Sequence, residues 1–395
     1  MSPGLREISE TLREDGYAFL VVGESARRLY SGERPSTLQV WTNADLLYLA
    51  RRFDARPLGG TGEEAGASVP ALPRVAEDAS VSLDAGGCLL KVESDPLLPG
   101  VLGKIPLARL KPVAVRRPFT ADALLFDPGR SRFLDPSGCL TDIRGKRLRL
   151  LAPPAANPLR NLPALFRAVR MEVEEGFTPD PALLEALRGM ALPLDRPALP
   201  HYRLGLLDVL TGSSPQAGLA RLDDLGVLGR VIPEMEDLKG CPQDKDYHPE
   251  GDVFTHTLEC FRRVRKASPA LGLSLLLHDV AKPLTLAMNK RNLHFPGHST
   301  RGAEVAGQVL RRLGFDRALI EEVKFCIRNH LLPVVVYKLS EEEVVRLVRH
   351  PAFPTLLRLY REDVRGSMGD LASYRDLVRR IAPYRPVTPS TEEDE

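Results

Sequence analysis

The sequence predicts a chain in two parts, mixed α/β over about its first 150 residues and all-helical after that. Three observations predict it. Short apolar runs of strand length punctuate the first part, whereas the second carries apolar residues at three- and four-residue spacing. Pro-rich joints at Pro153-Pro154 and Pro193–Pro200 mark the change of pattern and a break within the helices. At 395 residues the chain has room for two or three domains, each with its own core.

The elements follow in order. A polar, helix-like opening leads into Tyr17–Val22, an apolar strand that ends in a turn at Gly23, and Ser25–Tyr30 reads as a short helix. Leu38–Trp41 and Cys88–Val92 have strand length and composition. Between them Pro57–Pro73, rich in Gly, Pro and Ala, reads as a mobile loop. Leu162–Val173 and Pro181–Leu187 have helical periodicity, and residues 253–385 read as one helix after another with no alternating strand. Pro386–Glu395 is an acidic, flexible tail. No internal repeat is evident.

Composition narrows the function classes. Hydrophobic residues at 43% and charged residues at 27% are ordinary globular values and exclude wholesale disorder. A net charge of +2 argues against a protein that coats nucleic acid over its whole surface. The balance is local, however: residues 101–175 hold 14 Lys/Arg against 7 Asp/Glu, a stretch suited to a phosphate backbone and equally compatible with a solvated surface. Five widely spaced cysteines without a C-x-x-C pair read as reduced thiols. With neither a signal-peptide pattern nor an apolar run of spanning length, the expectation is a cytoplasmic protein with no membrane partner.

The strongest chemical signal is in the helical part, where six of the eight histidines fall between residues 248 and 330. His278-Asp279 follows an apolar run that predicts a buried helix, so an imidazole and a carboxylate emerge at its end. Burying that pair is costly unless a cation compensates it. His256 lies on the preceding helix, and His298, His330 and Asp363 follow on separate elements. Imidazoles with carboxylates and no sulfur suit Mn²⁺, Fe²⁺, Co²⁺, Ni²⁺ or Zn²⁺ and argue against a structural zinc site. Lys282, one turn beyond Asp279, is placed to hold a phosphate. His201, His248 and His350 read as structural, and His294 stays undecided.

The order His256…His278-Asp279…His298…His330…Asp363 resembles that of the HD-domain phosphohydrolase superfamily. The resemblance implies His256, His278, Asp279 and Asp363 as core metal ligands and His298 and His330 as an optional pair. It implies a cofactor of one or two divalent ions (Mn, Ni, Co, Fe or Mg). Surrounding segments, His248–Leu258, Leu277–Pro283 and Glu362–Gly366, resemble bacterial tRNA nucleotidyltransferases (CCA-adding enzymes) that carry an HD domain. The resemblance continues upstream through Arg116–Leu124, Phe133–Asp142, Asn157–Arg160 with Arg167–Arg170, and Leu225–Glu234.

That family's polymerase residues are altered here. Nucleotidyl transfer of this class uses two carboxylates two residues apart on one strand, sharing Mg²⁺. Alignment of Val22–Arg27, Gly32 and Thr42 with the family places Thr37 and Gln39 at those positions. Glu24 replaces the second Gly of the phosphate-cradling turn, and Pro118 and Asp122 replace an Asp and an Asn. Pro112–Val115 lacks an acidic pair, and the neck element at Pro200–Gly205 is eroded. Asp45 and Glu93 are the nearby acids that could serve instead.

The expectation is an α/β nucleotidyltransferase-like head at 1–150, an all-α neck at 151–240, an all-α HD domain at 241–385 and a tail at 386–395. The expected function is metal-dependent phosphohydrolysis of an RNA 3′ end or nucleotide phosphate, with a head that no longer polymerises. Asp279 and Lys282 are its expected catalytic residues, Lys282 and Arg301 its substrate contacts, and Arg116, Arg117, Arg160, Arg167 and Arg170 its contacts to RNA or tRNA. The alternatives are an active tRNA nucleotidyltransferase or poly(A) polymerase, and a non-enzymatic RNA-binding protein.

Overall fold

The structure is a computed structural model that describes residues 3–53, 56–57, 80–85, 87–94, 98, 107–151, 158–244, 249, 251–289, 292–331, 336–367 and 371–384. It divides into two compact units, Met1–Pro154 with Phe177–Ala186, and Ala155–Gly176 with Leu187–Glu395. Residues 177–186, read from sequence as part of the neck, therefore cluster with the head. Their strand is the reason, because β9 (Thr178–Pro179) pairs in parallel with β8 (Arg147–Leu148).

The first unit is built on a seven-stranded mixed sheet. Its strands are β1 (Phe19–Val22), β2 (Thr37–Thr42), β3 (Arg56–Pro57), β4 (Ser80–Asp84), β5 (Leu89–Ser94), β6 (Leu125–Asp127) and β7 (Arg132–Leu134), in the order β3-β4-β5-β2-β1-β6-β7. β1 lies near the middle and all four of its residues are buried, as its unbroken apolar run requires. On β2 the buried Leu38 and Val40 alternate with half-buried Thr37 and Gln39, and Trp41, on the face of Gln39, is itself buried in a core cluster with Leu20, Val22 and Leu110. β5 runs parallel to β2, with Gln39 opposite Lys91 and Trp41 opposite Glu93.

Helices α1 (Pro3–Glu14), α2 (Gly23–Tyr30) and α3 (Leu46–Phe53) belong to this unit. α1 buries Leu5, Ile8 and Leu12, one stripe at helical spacing. α2 begins at Gly23, whose φ of +61° is left-handed and favours glycine. Two short helices follow, α4 (Lys111–Ala114) and α5 (Leu140–Arg144). Asp142 on α5 is fully buried, accepting from Thr120 Oγ1 at 2.6 Å and from Arg149 at 2.7 and 2.9 Å. The predicted loop after Pro57 lies outside the described residues, as does the acidic tail.

The second unit is helical. α6 (Pro158–Glu175) packs on α8 (Leu199–Leu210) and α9 (Pro215–Asp224). α10 (Val227–Val231) completes the series before the C-terminal helices, whereas most of the intervening α7 (Pro181–Arg188) belongs to the first unit. Gly205 on α8 allows close approach to α6, because a Cβ there would come within 2.2 Å of the Phe166 ring. The C-terminal part comprises α11 (Val253–Cys260), α12 (Pro269–Leu277), α13 (Lys282–Thr285), α14 (His298–Arg312), α15 (Arg317–Arg328), α16 (Glu341–Val348), α17 (Phe353–Ser367) and α18 (Ala372–Ile381). α12 is the central helix, with every residue from Ala270 to Leu277 buried. Ser268 caps it by accepting from the Leu271 amide, and Pro269 takes its first turn.

One feature corrects the all-helical expectation for residues 253–385. Ala287–Asn289 (β10) and Asn292–His294 (β11) pair as an antiparallel hairpin between α13 and α14. Three-residue strands are too short to show alternation in a sequence.

Candidate functional site

The HD cluster lies within the second unit. α11 supplies His256, the end of α12 His278 and Asp279, the start of α14 His298, the end of α15 His330, and α17 Asp363. His256, His278, Asp279, His298 and His330 are buried. His256 Nε2 is 3.1 Å from Asp363 Oδ1 and 3.3 Å from His278 Nε2. His278 Nε2 is 3.2 Å from Asp279 Oδ2. The other Asp279 oxygen faces His298 Nε2 at 3.5 Å and His330 Nε2 at 3.7 Å. Asp279 thus stands between two donor groups, with one oxygen toward each.

The imidazoles are oriented by the backbone. His278 Nδ1 is 2.9 Å from the Leu275 carbonyl, His298 Nδ1 2.8 Å from Phe295 O, and His330 Nδ1 2.6 Å from Ile327 O. A carbonyl only accepts, so each Nδ1 carries the proton and donates. Each Nε2 lone pair is left aimed inward, the arrangement that prepares a metal-binding histidine. Each of these three carbonyls belongs to the residue three positions earlier, so each histidine is set by its own local turn.

The electrostatics fit a cation. Burial works to raise the Asp279 carboxyl, but the His278 and His256 imidazoles and the Lys282 ammonium outweigh it and hold it well below the usual range. Burial also opposes ionisation of Asp363, and the hydrogen bond to His256 with the nearby imidazoles reverses that. Burial pushes the His330 imidazole down to about 4, favouring the neutral ligand form. Asp279 Oδ1 is buried without a hydrogen-bond partner, an orphan that a metal would satisfy. These donors therefore fit a divalent ion.

Lys282 is turned into this cluster and not toward solvent. Its Nζ lies 2.7 Å from Asp279 Oδ2, donates to Gln243 Oε1 at 2.6 Å and sits 5.3 Å from the centre of the Phe295 ring. Arg301, one turn along α14 from His298, is half exposed and pairs with Glu304 at 2.8 Å. Two neighbours went unseen in the sequence. Gln243 precedes Lys282 by 39 residues and carries no local signal. Cys260 Sγ lies 3.5 Å from His256 Nε2, beside the sulfur-free donor set expected there. Its signal was the four-residue spacing from His256. Burial pushes the Cys260 thiol up to about 11.

Among the other histidines, His350 stacks on Phe325 with centroids 3.5 Å apart, and its Nδ1 accepts from the Ala352 amide. His201 lies on α8 and His294 on β11, while His248 falls outside the described residues. Cys88, Cys139, Cys241, Cys260 and Cys326 are all buried free thiols.

The head carries a second constellation, on the face of β2 that bears Gln39 and Trp41. Gln39 and Arg117 border the Gly23 turn: a Cβ at Gly23 would lie 3.4 Å from Arg117 Cζ and 3.6 Å from Gln39 Oε1. Arg117 lies over the Trp41 ring at 4.2 Å. Trp41 Nε1 in turn donates to Glu93 Oε2 at 2.8 Å. A carboxylate therefore stands on this face from β5 although β2 offers none. The other nearby acid, Asp45, accepts from the Tyr48 amide at 2.7 Å at the start of α3. Of the five arginines read as RNA contacts, Arg116 is exposed and Arg117 half-buried in the first unit; Arg160, Arg167 and Arg170 lie on α6 of the second. Arg170 pairs with Glu174 at 3.4 Å and Asp208 at 3.7 Å.

Comparison with known proteins bears on both parts of the chain. Residues 253–359 match the HD domain family. The chain is 30% identical over 273 residues to the A-adding tRNA nucleotidyltransferase of Deinococcus radiodurans, covering 65% of this chain and 61% of that one. It is 31% identical over 250 residues to the multifunctional CCA protein of Xylella fastidiosa strain M23, covering 62% and 59%. The matches thus span about six tenths of the length of these relatives. Among solved structures, a CCA-adding enzyme with CTP superposes with a TM-score of 0.57 at 16% identity, covering 97% of this chain and 82% of that one. A tRNA nucleotidyltransferase complexed with a primer tRNA and an ATP analog gives 0.52 at 18% identity, covering 96% and 97%.

The relatives overturn the expectation of a phosphohydrolase whose head has lost polymerisation. They are named for nucleotide addition to tRNA or for the CCA end, and they favour the alternative of an active tRNA nucleotidyltransferase. Although β2 carries no acid at Thr37 or Gln39, Glu93 of the adjacent β5 stands opposite Trp41 and accepts from its indole. No helix among the described residues is long and apolar enough to cross a membrane. Residues 253–359 are an HD domain, and the chain has the fold of the tRNA nucleotidyltransferase (CCA-adding enzyme) family.

Proposed function

We propose that the protein is a tRNA nucleotidyltransferase that adds nucleotides to the 3′ end of tRNA. The observation that carries this reading is the Glu93–Trp41–Arg117–Gln39 face beside the Gly23 turn. Mg²⁺ is held by one or two carboxylates plus substrate phosphates, so a single carboxylate suffices when a triphosphate supplies the other oxygens. Glu93 takes that role, and the Trp41 indole fixes one of its oxygens. Arg117 supplies a planar guanidinium to phosphate oxygens, while Lys91 lies one alternate position before Glu93 on the same strand face. A divalent ion bound here polarises a phosphoryl oxygen.

The HD cluster is read as a centre for a divalent ion, with His256, His278, Asp279 and Asp363 as one ligand group and His298 and His330 completing a second around Asp279. Its convergent Nε2 atoms and the orphaned Asp279 oxygen support this. Lys282 serves as a positioning residue for Asp279. Arg116, Arg117, Arg160, Arg167 and Arg170 are proposed to contact tRNA phosphates.

The test is incorporation of labelled ATP and CTP onto tRNA lacking its 3′-terminal nucleotides, with Mg²⁺, by the wild-type chain and by Glu93→Gln. Incorporation by wild type that collapses in the variant is expected. No incorporation by wild type, or an unimpaired variant, overturns the reading.

A further inference from the structure

Cys260 closes the last turn of α11, four residues after His256. That spacing puts two side chains on one face of a helix. The nitrogen, oxygen and sulfur donor atoms of His256, Cys260, His278 and Asp363 all lie within 4.8 Å of one another. The separations are 3.3 Å between His256 and His278, 3.1 Å between His256 and Asp363, 3.8 Å between His278 and Asp363, and 3.5 Å between His256 and the sulfur. Metal bonds of about 2.0–2.3 Å in a tetrahedron put neighbouring donors roughly 3.3–3.8 Å apart. Three of these separations fall in that range, and the His256–Asp363 contact is slightly shorter.

The fold makes room for the sulfur. Gly366 lies three residues after Asp363 on α17, and a Cβ there would meet Cys260 Sγ at 2.7 Å and the Cys260 amide nitrogen at 3.0 Å. Any other residue at 366 would crowd the thiol, so the absence of a side chain lets α17 bring Asp363 and Cys260 to the same point. The neighbouring Asp279 carboxylate turns its Oδ2 toward His278 Nε2 at 3.2 Å and His256 Nε2 at 3.8 Å, adding buried negative charge beside this donor group.

We propose that Cys260 is a thiolate ligand of the ion held by His256, His278 and Asp363. The proposal rests on the reading that the HD centre holds a divalent ion and revises its first ligand group, seating Cys260 with His256, His278 and Asp363 and leaving Asp279 with His298 and His330. Binding breaks the S–H bond, the proton leaves to solvent and a sulfur lone pair forms the metal–sulfur bond, with no change of oxidation state. A thiolate shifts preference toward Zn²⁺, Co²⁺ or Fe²⁺ and away from Mn²⁺ and Mg²⁺.

The test uses the full chain stripped of metal and titrated with Co²⁺. Wild type should develop a near-ultraviolet sulfur-to-cobalt charge-transfer band. Cys260→Ala and Cys260→Ser should lose that band, while Cys326→Ser, at another buried cysteine, should keep it. Zn²⁺ affinity should fall about tenfold or more in the Cys260 variants, with Mn²⁺ affinity changing far less. Bound cobalt without the band in wild type, or a band that survives in Cys260→Ala, overturns the thiolate assignment alone. Failure to bind cobalt at all overturns the assignment together with the metal-centre reading. Where Cys260→Ala does not fold, Cys260→Ser carries the assignment, and a wild-type chain that binds cobalt without the band overturns it with no variant at all.

Discussion

The head and the HD domain each gather charged and polar side chains, with different materials. In the HD domain the donors come from several separate helices, and three of its histidines are set by the carbonyl three residues earlier. In the head the donors share adjacent parallel strands: Glu93 of β5 stands beside Trp41 of β2, and Arg117 covers the indole. The helical centre therefore depends on identity at every ligand position. The sheet face can receive a carboxylate from a neighbouring strand, because residues in register on parallel strands project to the same side. Loss of a motif on one strand is consequently weaker evidence of lost function than loss of a ligand from a helical centre.

The sharpest way to break this comparison is at Asp279, the residue between the two ligand groups. Asp279→Ala should abolish stoichiometric metal binding in the HD domain, as measured by elemental analysis after reloading. Nucleotide incorporation should persist, since the head supplies its own carboxylate. Incorporation that disappears with HD-domain metal would show that the two regions act as one.

Glu93→Gln is the reciprocal experiment. It should lower incorporation on the order of 100-fold, the scale of losing a group that places a metal at a developing charge. The HD-domain metal content should stay unchanged.

Asp142→Ala tests the frame of the head and not its chemistry. The buried carboxylate is tied to Thr120 and Arg149, so its loss should cost about 2–3 kcal/mol in a denaturant titration. That is less than for a fully buried pair, because Arg149 is half exposed and regains water. Burial opposes ionisation of Asp142, but Thr120, Arg149 and Arg147 outweigh it and lower its pKa. The stabilisation is therefore complete above the ordinary carboxyl value of about 4 and fades as pH falls through the lower folded value. Wild type should lose stability in that acid range, and the variant should show a smaller loss.

The smallest expected effect is at the basic residues. Arg170→Ala should weaken tRNA binding uniformly across sequences and reduce the slope of log affinity against log salt by about 1. An unchanged slope would place Arg170 off the RNA, held only by Glu174 and Asp208.

Much of this was legible in the sequence. His278-Asp279 follows an apolar run that predicts a buried helix, and α12 is buried along nearly its whole length. The strands around Leu38–Trp41 and Cys88–Val92 were visible as short runs of strand composition, and they form as Thr37–Thr42 and Leu89–Ser94. What the sequence hid were relations across the chain. Gln243 reaches Lys282 only through tertiary packing, and Glu93 acquires its place through strand pairing with Trp41. Asp45 and Glu93 are equally acidic in the sequence, yet one caps a helix and the other accepts from the Trp41 indole. The β10–β11 hairpin was too short to leave a pattern, and residues 177–186 joined the head through a two-residue pairing.

The most direct measurement is transfer of labelled nucleotide by the purified wild-type chain to tRNA lacking its 3′ end, in the presence of Mg²⁺. The account predicts discrete extension of the tRNA, lost in Glu93→Gln. A wild-type chain that binds such tRNA and never extends it, across ATP and CTP, would contradict it.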